Sequence, residues 1–212
     1  MKNNLETLAP ETGFETPVVF TEPESWHWKV LAKAFITDPT IKFWFDGKED
    51  EDLLESFFEA VVKDVLMSGG TVFSSADRKA VFVWAWLGNT DQKANTFKEK
   101  WHGILGETGV KRYNWLYDAG NIHLDPDKVQ KSMEPAYLAV LPEAQGRGYG
   151  SHLFKWTLDY FDRKGYDAPF ILASTRRSAK LYCPLLGYDV CKEVFVNSND
   201  TEPIGVFLKR KK

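Results

Sequence analysis

Apolar positions in this chain alternate between short continuous runs and stripes at helical spacing. A short apolar run bounded by turn residues is typical of a strand, whereas apolar residues at i, i+3 and i+4 form one face of a helix. Seven runs are predicted as strands: residues 17–20, 71–75, 80–87, 136–141, 169–173, 190–197 and 204–209. Helices are predicted over residues 27–35, 54–65, 150–161 and 178–186. The order predicts an α/β (α+β) fold with about seven strands and flanking helices.

Local signals refine the first part of the chain. Residues 21–24, Thr-Glu-Pro-Glu, have the form of a capping box with proline in the first turn, and they predict the start of the first helix. Asp38 and Pro39 end that helix, because the residue before a proline avoids the helical conformation. Residues 41–45 are then interpreted as a loop that is unusually rich in aromatic residues.

The segment between the third and fourth strands, residues 88–134, is too long for a simple connection. Two helical patches within it are interrupted by Gly103, Gly106 and Gly109. A connection of this length with helices of its own is more often a lid, a binding wall or an added packing layer than a linker. We therefore predict a loose leader over residues 1–16 and one domain over residues 17–212, with residues 88–134 as a helical insertion.

Composition narrows the class of function. The net charge of −3 favours neither a nucleic acid nor another polyanion as partner, and the longest apolar run, residues 80–87, is too short to span a membrane. The chain has two cysteines, and its four histidines are scattered without the spacing of metal ligands. No apolar signal segment opens the sequence. We expect a cytoplasmic protein that binds no metal and does not associate with membranes.

A glycine-rich turn follows the fourth strand. Pro142 ends that strand, Gly146, Gly148 and Gly150 then occupy alternate positions, and a helix begins. Backbone N–H groups at such a turn, together with the positive end of the helix, form a site for a phosphate group. The spacing of the glycines fits neither the dinucleotide fingerprint nor the P-loop.

The sequence Gln145-Gly146-Arg147-Gly148-Tyr149-Gly150 instead resembles the Q/R-x-x-G-x-G/A signature of the GNAT acetyltransferase superfamily, and the order of strands and helices matches that of the family. The resemblance implies a mixed central sheet with a splayed central pair of strands, and acetyl-coenzyme A as cofactor. In the family, the turn holds the diphosphate and the backbone of the preceding strand binds the pantetheine arm. The implied cofactor-binding residues are Leu138, Ala139, Val140, Gln145, Gly146, Arg147, Gly148, Tyr149, Gly150, Ser151, Thr175 and Tyr182.

The general acid implied by the resemblance is Tyr182. Leu181-Tyr182 followed by Gly187-Tyr188 is similar to the family segment whose tyrosine protonates the departing thiolate, and a phenol stays protonated at neutral pH. Pro184 and one additional residue before Gly187 depart from the usual pattern. Thr175 stands where the family often has an asparagine.

An amine must lose a proton before its nitrogen can attack a thioester, so a base is needed. Glu134 lies six residues before Val140, where the histone-type branch of the family has its catalytic glutamate. Strand alternation places Glu134 on the same face as Leu138 and Val140. His123 and a water molecule are the alternative bases. We expect direct transfer in a ternary complex, without an acyl-enzyme.

The predicted acceptor is the amine of a small molecule. By resemblance, its pocket is built from residues 43–45, from residues 88–134 with Trp101, Trp115 and Tyr117, and from residues 197–203. Residues 31–35 and Asp38-Pro39 also look like the branch typified by puromycin N-acetyltransferase. Two alternatives stay open: a protein lysine or N-terminus as acceptor, and a non-catalytic acyl-coenzyme A binding module. The protein is expected to be a monomer or a homodimer.

Overall fold

The computed structural model describes residues 14–88 and 96–211. The strands are β1 (Val18–Phe20), β2 (Thr71–Ser74), β3 (Ala80–Trp86), β4 (Met133–Val140), β5 (Phe170–Ala173), β6 (Tyr188–Val194) and β7 (Gly205–Arg210). The helices are α1 (Ser25–Phe35), α2 (Pro39–Phe45), α3 (Glu51–Met67), α4 (Thr96–Gly120), α5 (Tyr149–Arg163) and α6 (Arg176–Leu186). The predicted α/β architecture with seven strands is confirmed.

The seven strands divide into two antiparallel sheets, with strand orders β1-β2-β3-β4 and β5-β7-β6. The chain leading into β4 meets the chain before β5 in parallel: the Met133 N–H donates to the Asp167 carbonyl at 2.8 Å, and the Asp167 N–H donates to the Lys131 carbonyl at 2.7 Å. Within the described residues, no ladder continues this pairing along β4 and β5. The central pair therefore splays apart, as predicted.

Alternation along β3 divides the hydrophobic core into two layers. Val81 and Val83 pack with α1, α3 and α4, whereas Phe82 and Trp84 pack with Phe154 on α5. Side chains of a strand point to opposite faces in turn, so β3, whose first five residues are buried, contributes to both layers. Helices cover both faces of the sheet, and the splayed gap lies between β4 and β5.

The first two helices begin at different positions from those predicted. Glu24, not Thr21, is the N-cap of α1, and its backbone N–H donates to His27 Nδ1 at 3.1 Å. Residues 41–45 are not a loop, because α2 occupies Pro39–Phe45. The Asp38 side chain accepts N–H bonds from the first turn of α2, and Pro39 takes the first helical position, where a missing N–H costs nothing.

The predicted insertion contains one long helical element. Its two helical patches join in α4, which breaks at Gly106, where φ is 68°. Gly103 and Gly109 do not interrupt the helix. The predicted leader lies largely outside the described residues, and the division of the chain into leader, domain and insertion stays a prediction.

Replacing Gly70 with alanine is expected to lower the free energy of unfolding by about 1–3 kcal/mol. A Cβ there would meet the Trp84 carbonyl oxygen at 2.4 Å, and that backbone cannot retreat within the sheet. Urea unfolding measures the loss. Gly103→Ala is the control, since its Cβ would contact nothing and alanine favours a helix by about 1 kcal/mol. Equal stability of the two variants would contradict the tight packing at Gly70.

Candidate active site

The splayed gap opens into a cavity of about 570 Å³. Its walls come from five parts of the fold: the turn between α1 and α2, strand β4, the glycine turn with the start of α5, strand β5, and the first turns of α6. Tyr117 of α4 completes the wall. Because β4 and β5 share no hydrogen bonds here, backbone groups of both strands are available to a ligand.

The glycine turn lies at one end of the cavity. Gly146 and Gly148 have φ values of 73° and 90°, in the left-handed region that glycine adopts without strain. Among the described residues, no side chain caps the N terminus of α5. The first backbone N–H groups of this helix therefore have no side-chain partner at the turn. A Cβ placed on Gly146 would meet nothing within 4 Å. The turn is therefore open, positive at its helix end and able to accept an anion.

Side chains of the glycine turn mainly support its shape. Gln145 Nε2 donates to the Val140 carbonyl at 3.1 Å, which ties the turn to the end of β4. Tyr149 Oη donates to Asp77 Oδ2 at 2.6 Å, in the turn between β2 and β3. Arg147 is exposed and does not line the cavity. The predicted cofactor residues of this segment that line it are Gln145, Gly146, Gly148, Tyr149, Gly150 and Ser151.

The start of α6 forms another part of the cavity wall. Thr175 is the N-cap of α6, and its Oγ1 accepts the Ser178 N–H at 3.1 Å, so its hydroxyl serves the helix and not the cavity. Arg177 and Ser178 line the cavity. Of the predicted strand residues, Leu138 and Val140 also line it, whereas Ala139 is buried in the layer formed by α1, α3 and α4.

Tyr182 projects from α6 into the same cavity. Its ring packs against Phe154 of α5, with ring centroids 5.1 Å apart. Burial, and secondly the charge of Asp38, raise the pKa of Tyr182 to about 12. The phenol therefore keeps its proton at neutral pH, as a general acid must before transfer, although the raised pKa also makes it a weaker proton donor than an exposed tyrosine.

Glu134 lies on a different face of β4 from the one predicted. Pro135 pairs with Trp84 and Tyr137 pairs with Val83, so the ladder between β3 and β4 has a β-bulge at Ala136. A bulge inserts one residue and reverses the alternation that follows. Glu134 consequently shares a face with Tyr137 and not with Leu138 and Val140, and the prediction from simple alternation was wrong.

Glu134 connects to the cavity through Tyr117. Tyr117 Oη donates to Glu134 Oε1 at 2.8 Å, and Tyr117 lines the cavity whereas Glu134 does not. Burial raises the pKa of the Glu134 carboxyl, and the hydrogen bond from Tyr117 opposes that rise only in part. Burial and the charge of Glu134 raise the pKa of Tyr117 well above its usual range. His123, the alternative base, is exposed and lies outside the cavity wall.

Asp38 brings a carboxylate directly into the cavity wall. Its Oδ1 accepts the N–H groups of Thr40 and Ile41 at 2.9 and 3.0 Å, as the cap of α2. Burial raises the pKa of Asp38, while the Ser174 hydroxyl and the two backbone bonds act in the opposite direction. The charge of Asp38 reaches Tyr182 and Tyr137 and raises the pKa of both phenols.

Comparison with known proteins assigns the chain to a family. The profile of the acetyltransferase (GNAT) family matches residues 78–188, more than half of the chain. The chain belongs to the GNAT acetyltransferase family. The matched segment runs from the turn before β3 to the start of β6, so it contains β4, the glycine turn and Tyr182. A search of curated proteins found no match.

Solved structures share the GNAT fold over nearly the whole chain. A Corynebacterium glutamicum protein described as histone acetyltransferase HPA2 and related acetyltransferase is 17% identical, with a TM-score of 0.61 over 93% of this chain and 98% of its own. Arylalkylamine N-acetyltransferase 2 from Aedes aegypti is 18% identical, with a TM-score of 0.61 over 92% and 99%. At these identities, the likeness shows the fold.

The protein is an acetyltransferase of the GNAT family, and GNAT enzymes use acetyl-coenzyme A. The site has the two features that such a cofactor needs. An open glycine turn at a helix N terminus can hold the diphosphate, and the unpaired edges of two strands can bind the amide groups of the pantetheine arm.

Among the described residues, no group of three or more side chains is arranged to hold a metal ion. No helix in the described ranges is long and apolar enough to cross a membrane.

Sequence reasoning missed the two charged residues that line the cavity, Asp38 and Arg177. Asp38 was interpreted only as the end of a helix. Arg177 was not considered as a site residue. Thr175 is a residue type that caps helices, so the sequence did indicate that Arg177 lies in the first turn of a helix. Of the predicted acceptor segments, residues 43–45 contribute Trp44 and residues 88–134 contribute Tyr117, whereas residues 197–203 do not line the cavity.

Proposed function

We propose that this acetyltransferase moves an acetyl group from acetyl-coenzyme A directly to the amine of a small molecule within a ternary complex. One observation carries the proposal: a single cavity of about 570 Å³ extends from the open glycine turn to a wall made by the turn between α1 and α2. Two ligands can therefore meet in the gap between β4 and β5. The puromycin-like branch stays a prediction. The structurally similar Aedes aegypti protein is an arylalkylamine N-acetyltransferase, which agrees with a small amine acceptor.

The cofactor would occupy the part of the cavity between the glycine turn and β4. The turn from Gly146 to Ser151 would hold the diphosphate through backbone N–H groups, and Arg177 adds positive charge to the wall. The main chain of Leu138, Ala139 and Val140 would bind the pantetheine arm, and this role is compatible with the buried side chain of Ala139. When bound, acetyl-coenzyme A supplies the activated acetyl group.

Tyr117 and Glu134 would accept the proton that the attacking amine loses. The Tyr117 hydroxyl can take that proton from the cavity while it passes its own proton to Glu134, along the 2.8 Å hydrogen bond already present. The raised pKa of Glu134 makes it a stronger base than an exposed glutamate. The nitrogen–carbon bond forms, the carbon–sulfur bond breaks, and the Tyr182 hydroxyl protonates the sulfur. Glu134 is preferred to His123 as the base because Tyr117, which lines the cavity, bonds to Glu134.

Acetyl-coenzyme A is expected to stabilise the protein against heat and to release free thiol when a suitable amine is added. A ligand at one hundred times its Kd adds about 2.7 kcal/mol to the free energy of unfolding. Differential scanning fluorimetry and a thiol assay with a panel of amines make the two measurements. An unchanged melting temperature at saturating acetyl-coenzyme A would contradict the proposal. Thermal stabilisation without any acetylated amine would favour a binding module, and acetylated lysine in a protein extract would favour a protein acceptor.

Gly150→Val provides the matched variant for this test. A Cβ at Gly150 would meet Val140 at 3.5 Å and Leu138 at 3.7 Å, which is ordinary contact, so the fold has room for the first carbon of the new side chain. The added side chain would nevertheless fill space between the glycine turn and β4. We expect the variant to fold and to lose most of the thermal stabilisation by acetyl-coenzyme A. Undiminished stabilisation would place the cofactor elsewhere.

A further inference from the structure

Asp38 is the carboxylate of the cavity, and acetyl transfer as described above does not use it. Among the described residues that line the cavity, Asp38 carries the only negative charge and Arg177 the only positive charge. The two residues belong to different walls, since Asp38 precedes α2 and Arg177 lies in the first turn of α6. A buried carboxylate is costly unless a cation or hydrogen bonds compensate it, and Asp38 accepts hydrogen bonds from Thr40, Ile41 and Ser174.

The capping role of Asp38 leaves part of its carboxylate unused. Both backbone bonds from α2 go to Oδ1, so Oδ2 takes no part in the cap, and the Ser174 hydroxyl supplies one further hydrogen bond to the carboxylate. An ionised carboxylate has about four acceptor positions. Asp38 can therefore hold α2 in place and accept hydrogen bonds from a ligand at the same time.

The surroundings of Asp38 match an ammonium group attached to an apolar body. The two helices that flank Asp38 add apolar side chains to the cavity wall: Phe35 from α1, and Ile41 and Trp44 from α2. Tyr137 also lines the cavity, and its ring contacts Phe35 with centroids 5.9 Å apart. Aromatic faces attract cations as well as apolar groups. Among the described residues that line the cavity, there is no lysine that could neutralise Asp38.

Asp38 also lies near Tyr182, the proposed acid. The Ser174 hydroxyl, directly before the cap of α6, bonds to Asp38, and Asp38, Ser174 and Tyr182 line the same cavity. The charge of Asp38 acts on the phenol of Tyr182. An amine held by Asp38 would therefore lie close to the proposed acid.

We propose that Asp38 is the specificity-determining residue that binds the ammonium form of the acceptor, and that the acceptor is a primary amine on an apolar or aromatic body. This inference rests on the proposed function of the same cavity. It predicts discrimination by charge: an amine should bind well, and a neutral molecule of the same shape should bind poorly.

Asp38→Asn is expected to remove that discrimination. Asparagine caps a helix about as well as aspartate, so the substitution removes the charge while α2 keeps its cap. The probes are 2-phenylethylamine and 2-phenylethanol, titrated by calorimetry into protein saturated with coenzyme A at pH 7. We expect the wild type to prefer the amine, and Asp38→Asn to weaken amine binding about 10- to 100-fold, as for other hydrogen bonds to a charged group, with little change for the alcohol.

Asp46→Asn is the matched control. Asp46 ends α2, pairs with Arg112 at 2.8 Å and does not line the cavity; its φ of 59° suits asparagine as well as aspartate. This variant should keep the preference for the amine. Should Asp38→Asn fail to fold, Asp38→Ser provides another uncharged cap. An uncharged variant that still prefers the amine would overturn the role of Asp38. A wild type that neither releases thiol nor binds any amine would instead overturn the proposed function.

Discussion

Tyr182→Phe is expected to lower kcat by about 10²- to 10⁴-fold, the usual contribution of a positioned general acid. The substitution removes the only proton that Tyr182 can donate to the sulfur and keeps the ring that packs on Phe154. Binding of acetyl-coenzyme A and thermal stability should therefore change little. Steady-state thiol release with the best amine of the panel measures kcat, and fluorimetry with acetyl-coenzyme A measures binding.

The pH dependence of the same reaction separates an acid from a packing residue. Because the pKa of Tyr182 is raised to about 12, the wild type should lose activity through deprotonation of this phenol only at strongly alkaline pH. Tyr160→Phe is the control, since Tyr160 lies on α5 outside the cavity wall and bonds to Lys164. A Tyr182→Phe enzyme with the kcat of the control would show that another group, or water, protonates the thiolate.

Local sequence signals were sufficient where one residue pattern had one physical outcome. Strands β2 and β3 were predicted because two apolar runs flank a polar turn, and α5 because its apolar stripe starts directly after the glycines. The start of α2 was missed because an Asp-Pro dipeptide such as Asp38-Pro39 can either end a helix or begin one. The same dipeptide ends one helix and supplies the N-cap and first residue of another.

Residues of the candidate site were predictable where their role belongs to the local backbone. The glycine turn needs left-handed φ angles at Gly146 and Gly148, and the sequence supplies glycine at both. The face of Glu134 was not predictable by counting alternate residues, because the bulge at Ala136 reverses the count. Pro135 was the available warning, since proline cannot donate to a ladder and is often found at bulges.

The remaining residues of the candidate site could not be predicted because they come together through contacts between distant segments of the chain. Tyr117 and Glu134 meet because α4 brings Tyr117 to the start of β4, and Asp38 and Tyr182 come together because the turn before α2 and helix α6 line one cavity. Neither pairing leaves a spacing signal in the sequence. The partners lie 17 residues apart in the first case and much farther apart along the chain in the second. Tertiary packing thus decides which of several possible carboxylates serves the chemistry.

Glu134→Gln is expected to lower kcat by about 10²- to 10⁴-fold if Glu134 receives the proton through Tyr117. Glutamine keeps an oxygen that can accept the Tyr117 hydroxyl, so the wall of the cavity should be unchanged, but it cannot take up a proton. In the wild type, the acid limb of the kcat profile should lie at higher pH than for an exposed glutamate, because burial raises the pKa of Glu134. Thiol release measured between pH 5 and 9 tests both points. A variant that keeps its rate and its acid limb would assign the base role to water or to another carboxylate.

The same substitution should make the folded protein more stable at neutral pH. The pKa of Glu134 is higher in the folded than in the unfolded state, so the folded state binds more protons and its stability decreases as the pH rises through the folded pKa. The glutamine side chain of the Glu134→Gln variant has no proton to lose, so the variant avoids that decrease. The difference in the free energy of unfolding between variant and wild type should be near zero below the unfolded pKa, grow with rising pH and level off above the folded pKa. Urea unfolding at pH 4 and pH 8 measures it. A variant that is less stable than the wild type at pH 8 would show that the ionised carboxylate is stabilised where it lies, and the argument for a strengthened base would fail with it.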